Sequence, residues 1–318
     1  FSVVKSVFEK YGFSPIETPA MENSETLTGK YGDEGDRLIF KVLNSGDFLS
    51  KKNCDSSFTT KELTKQISDK ALRYDLTVPF ARYVVQNRND ITFPFKRYQM
   101  QNVWRADRPQ KGRFREFFQC DADIIGTKSL ISEIELVQLS DEVFASLNIS
   151  NIEICINNRK VLNGMVEIMG CPELFNNIVI VLDKLDRIGI DKVKEEMISE
   201  GVSEEAISVL EKFLDFSNIL ELSDLLKQSE IGTQGVEELQ FVVENINKLG
   251  LKTAQLKFDI TLARGIDYYT GCIFEVKQND VKIGSVGGGG RYDDLTSVFG
   301  LDDVSGVGIS FGIDRIYM

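Results

Sequence analysis

Residues 95–105 and 115–125 read as two long strands joined by a charged loop, 106–114, that carries Pro109 and Gly112. Such a pair closes on itself as an antiparallel hairpin, and that limits what the rest of the chain can build around it. The second strand has strict parity. Phe118, Cys120, Ala122 and Ile124 share one face; Arg115, Phe117, Gln119, Asp121 and Asp123 share the other. A polar row of this kind usually faces solvent. Here, however, the segment 71–78 also alternates, with Leu72, Tyr74 and Leu76 opposed to Arg73, Asp75 and Thr77. Neighbouring polar rows of mixed sign suggest a sheet face that lines a cleft. Pro79 then suits the first turn of a helix to about residue 86.

Around this hairpin the pattern alternates between strand and helix. An amphipathic helix over 1–12 carries Val4, Val7 and Phe8 at helical spacing. Pro15 and Pro19 bracket an extended stretch. Residues 29–36, rich in Gly and Asp, read as a turn or mobile loop, 38–43 as a strand, and 51–65 as a polar surface excursion. A helix over 129–147 and a strand over 152–157 follow. From 159 to 249 the chain is helical, acidic and rich in Leu and Ile, which reads as a separate insertion. Strands at 256–262 and 272–277 flank a Gly-bounded bend, 263–271. The glycine run in 285–293 reads as a turn, and 304–309 as a strand that enters a helix near Phe311. The fold class is α+β, with domain boundaries expected at 1–158, 159–249 and 250–318.

The sequence contains no histidine, which excludes Ser-His-Asp and Cys-His triads and His-ligated metals. Chemistry must fall to carboxylates, Arg, Lys, Tyr or the substrate's own groups. The formal net charge is −12. It is uneven: 160–250 holds 18 acidic and 8 basic residues, whereas 96–115 holds seven basic residues and one acid, Asp107. A basic site is therefore hidden by an acidic mean. The cysteines at 54, 120, 155, 171 and 272 form no C-x-x-C pair. They read as buried hydrophobes in a reducing, cytoplasmic setting. No apolar run is long enough to cross a membrane. The first residue is Phe1 rather than Met, so an internal piece of a longer protein is expected.

Four segments concentrate chemistry. They are Leu72-Arg73-Tyr74-Asp75-Leu76-Thr77-Val78-Pro79; the hairpin from Trp104-Arg105 through Arg108-Pro109-Gln110-Lys111-Gly112-Arg113-Phe114-Arg115 to Asp123; Leu262-Ala263-Arg264-Gly265-Ile266-Asp267-Tyr268-Tyr269-Thr270-Gly271; and Gly287-Gly288-Gly289-Gly290-Arg291-Tyr292-Asp293 with Gly306-Val307-Gly308-Ile309-Ser310-Phe311-Gly312-Ile313-Asp314-Arg315. Arginines at strand ends and on a hairpin loop suit phosphate, because the planar guanidinium matches phosphate oxygens. A row of carboxylate, amide and tyrosine can hold a small zwitterion. The glycine run is not a Walker A loop, since no Gly-Lys-Ser/Thr follows, and it does not open a βαβ unit.

Taken in order, these segments resemble the catalytic core of histidyl-tRNA synthetases. The hairpin and the Gly-Ile-Asp-Arg helix resemble motifs 2 and 3 of class II aminoacyl-tRNA synthetases. Leu-Ala-Arg-Gly-Ile-Asp-Tyr-Tyr-Thr-Gly resembles the histidine-specific signature, with 288–293 as its companion. The resemblance implies an antiparallel sheet flanked by helices, with a mainly helical insertion. It implies histidine–tRNA ligase activity: histidine and ATP give histidyl-adenylate and pyrophosphate, and histidine passes to the 3′ end of its tRNA. Arg105, Arg113 and Arg315 would hold the ATP phosphates and Phe117 would stack on adenine. Arg264, with Arg105 the catalytic pair, would bridge the α-phosphate and the substrate carboxylate. Asp75, Thr77 and Gln119 would take the α-amino group. Asp123 and Tyr269 would read the imidazole, with Tyr268 and Tyr292 beside it. Mg²⁺ would arrive with ATP rather than in a protein cage. Homodimers, cytoplasmic localisation, and an anticodon-binding domain outside this chain are further implications. A synthetase-like regulatory or histidine-sensing subunit shares the fold, but such paralogues typically lose the arginines kept here at 105, 113, 264 and 315.

Overall fold

The computed structural model describes residues 1–48, 59–216, 218–263 and 268–318, with the side chains of 33, 34 and 61 also outside the description. Among these residues, eleven strands form two sheets. They are β1 (Ser14–Pro15), β2 (Met21–Asn23), β3 (Lys41–Val42), β4 (Lys70–Leu72), β5 (Phe95–Trp104), β6 (Glu116–Ile125), β7 (Ile152–Asn158), β8 (Gln255–Phe258), β9 (Cys272–Gln278), β10 (Gly287–Tyr292) and β11 (Gly306–Gly312). The large sheet runs β1-β5-β6-β11-β10-β9-β7-β8; the small one runs β2-β4-β3. From β5 to β7 every pairing is antiparallel, and only the edge strands β1 and β8 pair in parallel. β8 lies parallel to β7 because the helices of 159–249 carry the chain back across the sheet.

The hairpin forms as its alternation dictates, with Arg97 opposite Asp123 and Gln101 opposite Gln119. Its apolar face, Cys120, Ala122 and Ile124, is fully covered. The helices Ser2–Lys10 and Ile131–Ser146 lie over it, and Phe8 and Phe144 both pack on Phe311 of β11. This buried layer continues into the helices of 159–249 through Val161, Leu162, Val236 and Leu239. With one face sealed by helices, the other face of the sheet is left to form a site.

Several expectations are corrected. Residues 29–36 are not simply a loop: Gly32–Leu38 is helical. Gly35 serves close packing there, since a Cβ would lie 2.4 Å from Tyr31 Cβ. The strand expected at 38–43 shrinks to Lys41–Val42. Part of the supposed excursion, Thr60–Ile67, is a helix started by a Thr59/Glu62 capping box. The alternation at 71–78 is mostly not strand: β4 ends at Leu72 and the helix Thr77–Gln86 begins five residues on. The glycine run is not a turn but β10, an interior strand. Cys54 and residues 264–267 lie outside the described residues, whereas Cys120, Cys155, Cys171 and Cys272 are buried free thiols.

Candidate active site

A cleft of about 370 Å³ opens on the polar face of the sheet. Its two ends differ in charge. At one end stand Arg105, from just past β5, Arg113 on the hairpin loop, and Arg315 on the helix Ile313–Tyr317. Arg315 donates to Gly112 O at 2.6 Å and to Ser285 O at 2.7 Å, which ties the hairpin loop to the β9–β10 connection. Burial, and then repulsion from Arg113 and Arg105, hold its guanidinium below its ordinary pKa. Three cations that repel one another around an open volume suit a polyanion. Arg105 lies over the Tyr74 ring at 4.2 Å and the Phe117 ring at 5.2 Å, while its Nε donates to Tyr74 O at 3.1 Å. Arg115 turns back to Asp107 O at 3.1 Å and so holds the loop.

At the other end the lining is carboxylate and phenol. Asp75 is buried and accepts from Tyr31 OH at 2.9 Å, Tyr268 OH at 3.0 Å and the Val78 amide at 3.1 Å. Burial raises its pKa despite these donors. Thr77, Gln119, Tyr268 and Tyr269 also line the cleft, and Gln119 donates to Ser310 Oγ at 3.0 Å. Asp123 and Tyr292 instead line an adjoining hollow of about 20 Å³, which shares Thr77, Tyr269, Gly288 and Ser310 with the cleft. Tyr292 OH donates to Asp123 Oδ1 at 2.7 Å. Burial again raises the Asp123 carboxyl and lifts the Tyr292 phenol well above its ordinary value.

The interior glycine strand now has a physical reason. On this face, Gly290 and Gly308 are neighbours in register with Asp123. A Cβ on Gly308 would lie 2.0 Å from Asp123 Oδ1, and one on Gly290 would lie 2.9 Å from the Tyr269 ring. The sheet is stripped of side chains there so that aspartate and tyrosine can lie across it.

Of the expected site residues, Asp75, Thr77, Arg105, Arg113, Phe117, Gln119, Tyr268, Tyr269 and Arg315 share the cleft, and Asp123 and Tyr292 share the hollow. Arg264 falls outside the described residues.

Residues 2–316 match the family model for histidyl-tRNA synthetase. The chain belongs to the histidyl-tRNA synthetase family. It is 56% identical over 341 residues to a histidine–tRNA ligase of Flavobacterium johnsoniae, spanning 99% of this chain and 72% of that protein. A histidine–tRNA ligase of Christiangramia forsetii is 57% identical, over 100% of this chain and 72% of its own length. Among solved structures, the histidyl-tRNA synthetase from Nostoc sp. PCC 7120 superposes with a TM-score of 0.79 at 32% identity, covering 99% of this chain and 69% of that one. The class II architecture of that family, a mostly antiparallel sheet with helices against it, is the one described above.

Sequence reasoning missed several residues in and beside this cleft. Arg97 is wholly buried beside Asp123, and the parity of β5 (97, 99, 101) would have placed it opposite the acidic row. Tyr31 sat in a stretch read as loop. Asp183 and Arg187, from the acidic helical segment, reach the cleft wall. Nothing in the charge pattern of that segment marks those two.

Proposed function

We propose that this chain carries out the histidine–tRNA ligase reaction: histidine plus ATP to histidyl-adenylate and pyrophosphate, then transfer to tRNA. The observation that carries the proposal is the polarity of the cleft, with three arginines at one end and buried carboxylates with phenols at the other. A zwitterionic amino acid with a polar ring fits the second end and a triphosphate the first, so the reacting atoms meet between them. The names of the relatives support histidine as the amino acid.

In this reading Arg105 binds the α-phosphate, and Arg113 and Arg315 bind the γ-phosphate. Adenine stacks on Phe117, a contact worth about 1–3 kcal/mol for aromatic–base pairs. Asp75, Thr77 and Gln119 receive the α-ammonium; Asp123, with Tyr268, Tyr269 and Tyr292, receives the imidazole. The family resemblance gives Arg264 the role of bridging carboxylate and α-phosphate. The substrate carboxylate is already ionised, so it attacks phosphorus without a general base. It forms the C–O–P bond as the bond to pyrophosphate breaks. Positioning and charge stabilisation then carry the rate. Mg²⁺ on the phosphates would add charge neutralisation. The protein's own charge for the phosphates comes from Arg105, Arg113 and Arg315.

The same reading takes 1–158 and 250–318 as the catalytic core and 159–249 as an insertion. It also takes the working protein as a cytoplasmic homodimer that acts on tRNA. Among the described residues, no helix is long and apolar enough to cross a membrane. The test is histidine-dependent ATP–pyrophosphate exchange with the other amino acids as controls. Exchange with histidine alone supports the reading. Exchange with a different amino acid overturns the specificity. Histidine binding by calorimetry without exchange would favour an impaired synthetase core, and silence in both assays would favour the regulatory alternative.

A further inference from the structure

The largest fully buried polar side chain among the described residues has no part in the roles above. Arg97 projects from β5 onto the cleft face at zero exposure. Its Nη2 lies 2.8 Å from Asp123 Oδ2 and 4.0 Å from Asp121 Oδ2, and it donates to Leu76 O at 3.4 Å. The guanidinium carbon lies over the Phe80 ring, 4.3 Å from its centroid. The Asp123 contact is an ion pair without hydrogen-bond alignment. Asp123 Oδ2 therefore has no hydrogen-bond donor among the described residues, nor do Arg97 Nε and Nη1 have acceptors. Asp123 Oδ1, by contrast, is taken by Tyr292. One oxygen of this carboxylate is thus fixed by Tyr292 and the other is buried against Arg97 without an aligned donor, while the carboxylate as a whole lines the hollow beside the cleft.

A buried carboxylate reverts to its neutral acid unless a cation stands against it. Among the described residues, the charged and titratable groups that face Asp123 are Arg97 from β5, Asp121 on its own strand, Tyr292 from β10, Tyr269 across the same hollow, and Asp75 from the turn before the helix Thr77–Gln86. Arg97 is the cation among them. Asp121, which Ser310 also faces, is pushed up to about 7, by burial first and by Asp123 against the pull of Arg97. The cluster therefore holds more acid than base, and Arg97 decides which acid stays ionised. The nearer, at 2.8 Å against 4.0 Å, is Asp123.

We propose that Arg97 is a positioning and specificity-determining residue: it keeps Asp123 ionised and oriented so that its carboxylate accepts the ring N–H of the substrate imidazole. This rests on the histidine reading above. Arg97 touches no substrate and acts through Asp123.

The test is steady-state pyrophosphate exchange by Arg97→Met and Arg97→Lys beside the unaltered chain, with histidine and with thiazolylalanine, whose ring has no N–H. In Arg97→Met, KM for histidine rises about tenfold or more while KM for ATP stays within about twofold, the loss of one charge-assisted contact. The preference for histidine over thiazolylalanine shrinks. The alkaline shift in the pH profile of kcat/KM for histidine is the decisive signature. Without its cation Asp123 ionises at higher pH, whereas the substrate's own titration is common to both proteins. Arg97→Lys keeps a cation and restores most of the preference. If Arg97→Met does not fold, Arg97→Lys and Asp121→Asn carry the test. Asp121→Asn leaves Arg97 to Asp123 alone, so the acid limb moves to lower pH. Equal losses for histidine and ATP, an unmoved pH profile, or unchanged analogue preference overturns the role of Arg97. Failure of the unaltered chain to exchange with histidine overturns the parent reading instead.

Discussion

Replacing Gly308 by alanine adds a single methyl group, yet it should damage histidine recognition selectively. The new Cβ would lie 2.0 Å from Asp123 Oδ1 and 2.5 Å from its Cγ. The carboxylate must retreat by at least about 1 Å to reach ordinary contact, and close packing leaves little slack for it. It is held by Tyr292 OH at 2.7 Å and by Arg97 at 2.8 Å, so such a shift breaks or bends both contacts. A charge-assisted hydrogen bond contributes about 1.5–3 kcal/mol, which at ~1.4 kcal/mol per decade is about ten- to a hundredfold in KM for histidine. Stability should fall by about 1–3 kcal/mol, the usual cost of overpacking. KM for ATP should barely change, because the arginine end of the cleft does not touch Gly308. Pyrophosphate exchange at varied histidine and varied ATP gives both constants, and thermal melting gives the stability. A Gly308→Ala protein with normal KM for histidine, or with equal rises for both substrates, would refute the packing argument.

Arg315→Gln should raise KM for ATP and loosen the hairpin loop, because the bonds to Gly112 O and Ser285 O go with the charge; faster proteolysis at 106–114 would report the loosening. Phe117→Ala should weaken ATP by roughly 1–3 kcal/mol with little effect on histidine, as read by separate titrations. Tyr31→Phe removes one of three donors to Asp75 and should weaken histidine only about fivefold, since Tyr268 and the Val78 amide remain. Asp121→Asn gives a pH test of stability. The folded pKa of Asp121, about 7, lies above the ordinary 3.8, so between those values the native state binds the extra proton and stability falls as pH rises. The advantage of Asp121→Asn over the unaltered chain should therefore be near zero at pH 4 and grow toward pH 7, at up to ~1.4 kcal/mol per unit, in melts across that range. An advantage that shrinks over that window would contradict the assignment.

What the sequence yielded tracks how local each signal is. The β5–β6 hairpin was legible to within a residue, since alternation is a property of the strand itself. The polar row of β6 does face a cleft, with Asp121 and Asp123 buried rather than solvated, although the row at 71–78 that supported the inference is mostly not strand. The glycine run misled for the opposite reason. Glycine usually marks a turn, and only neighbours far along the chain, Asp123 and Tyr269, explain its place in an interior strand. Arg97 was hidden among seven basic residues of a window read for its net charge, where parity rather than charge was the informative property. Asp183 and Arg187 reach the cleft only through tertiary packing.

β11 is the last of the eleven strands in sequence, yet it sits between β6 and β10. Until residues 306–312 have been synthesised, the large sheet is two half-sheets, each with a bare inner edge. One half carries Arg105 and Asp123, the other Gly288 and Tyr292. Exposed edges invite pairing with other chains, and β11 covers both of these at once. Arg315 follows β11 in the chain, so the three arginines of the cleft come together only after the strand that joins the half-sheets has been made.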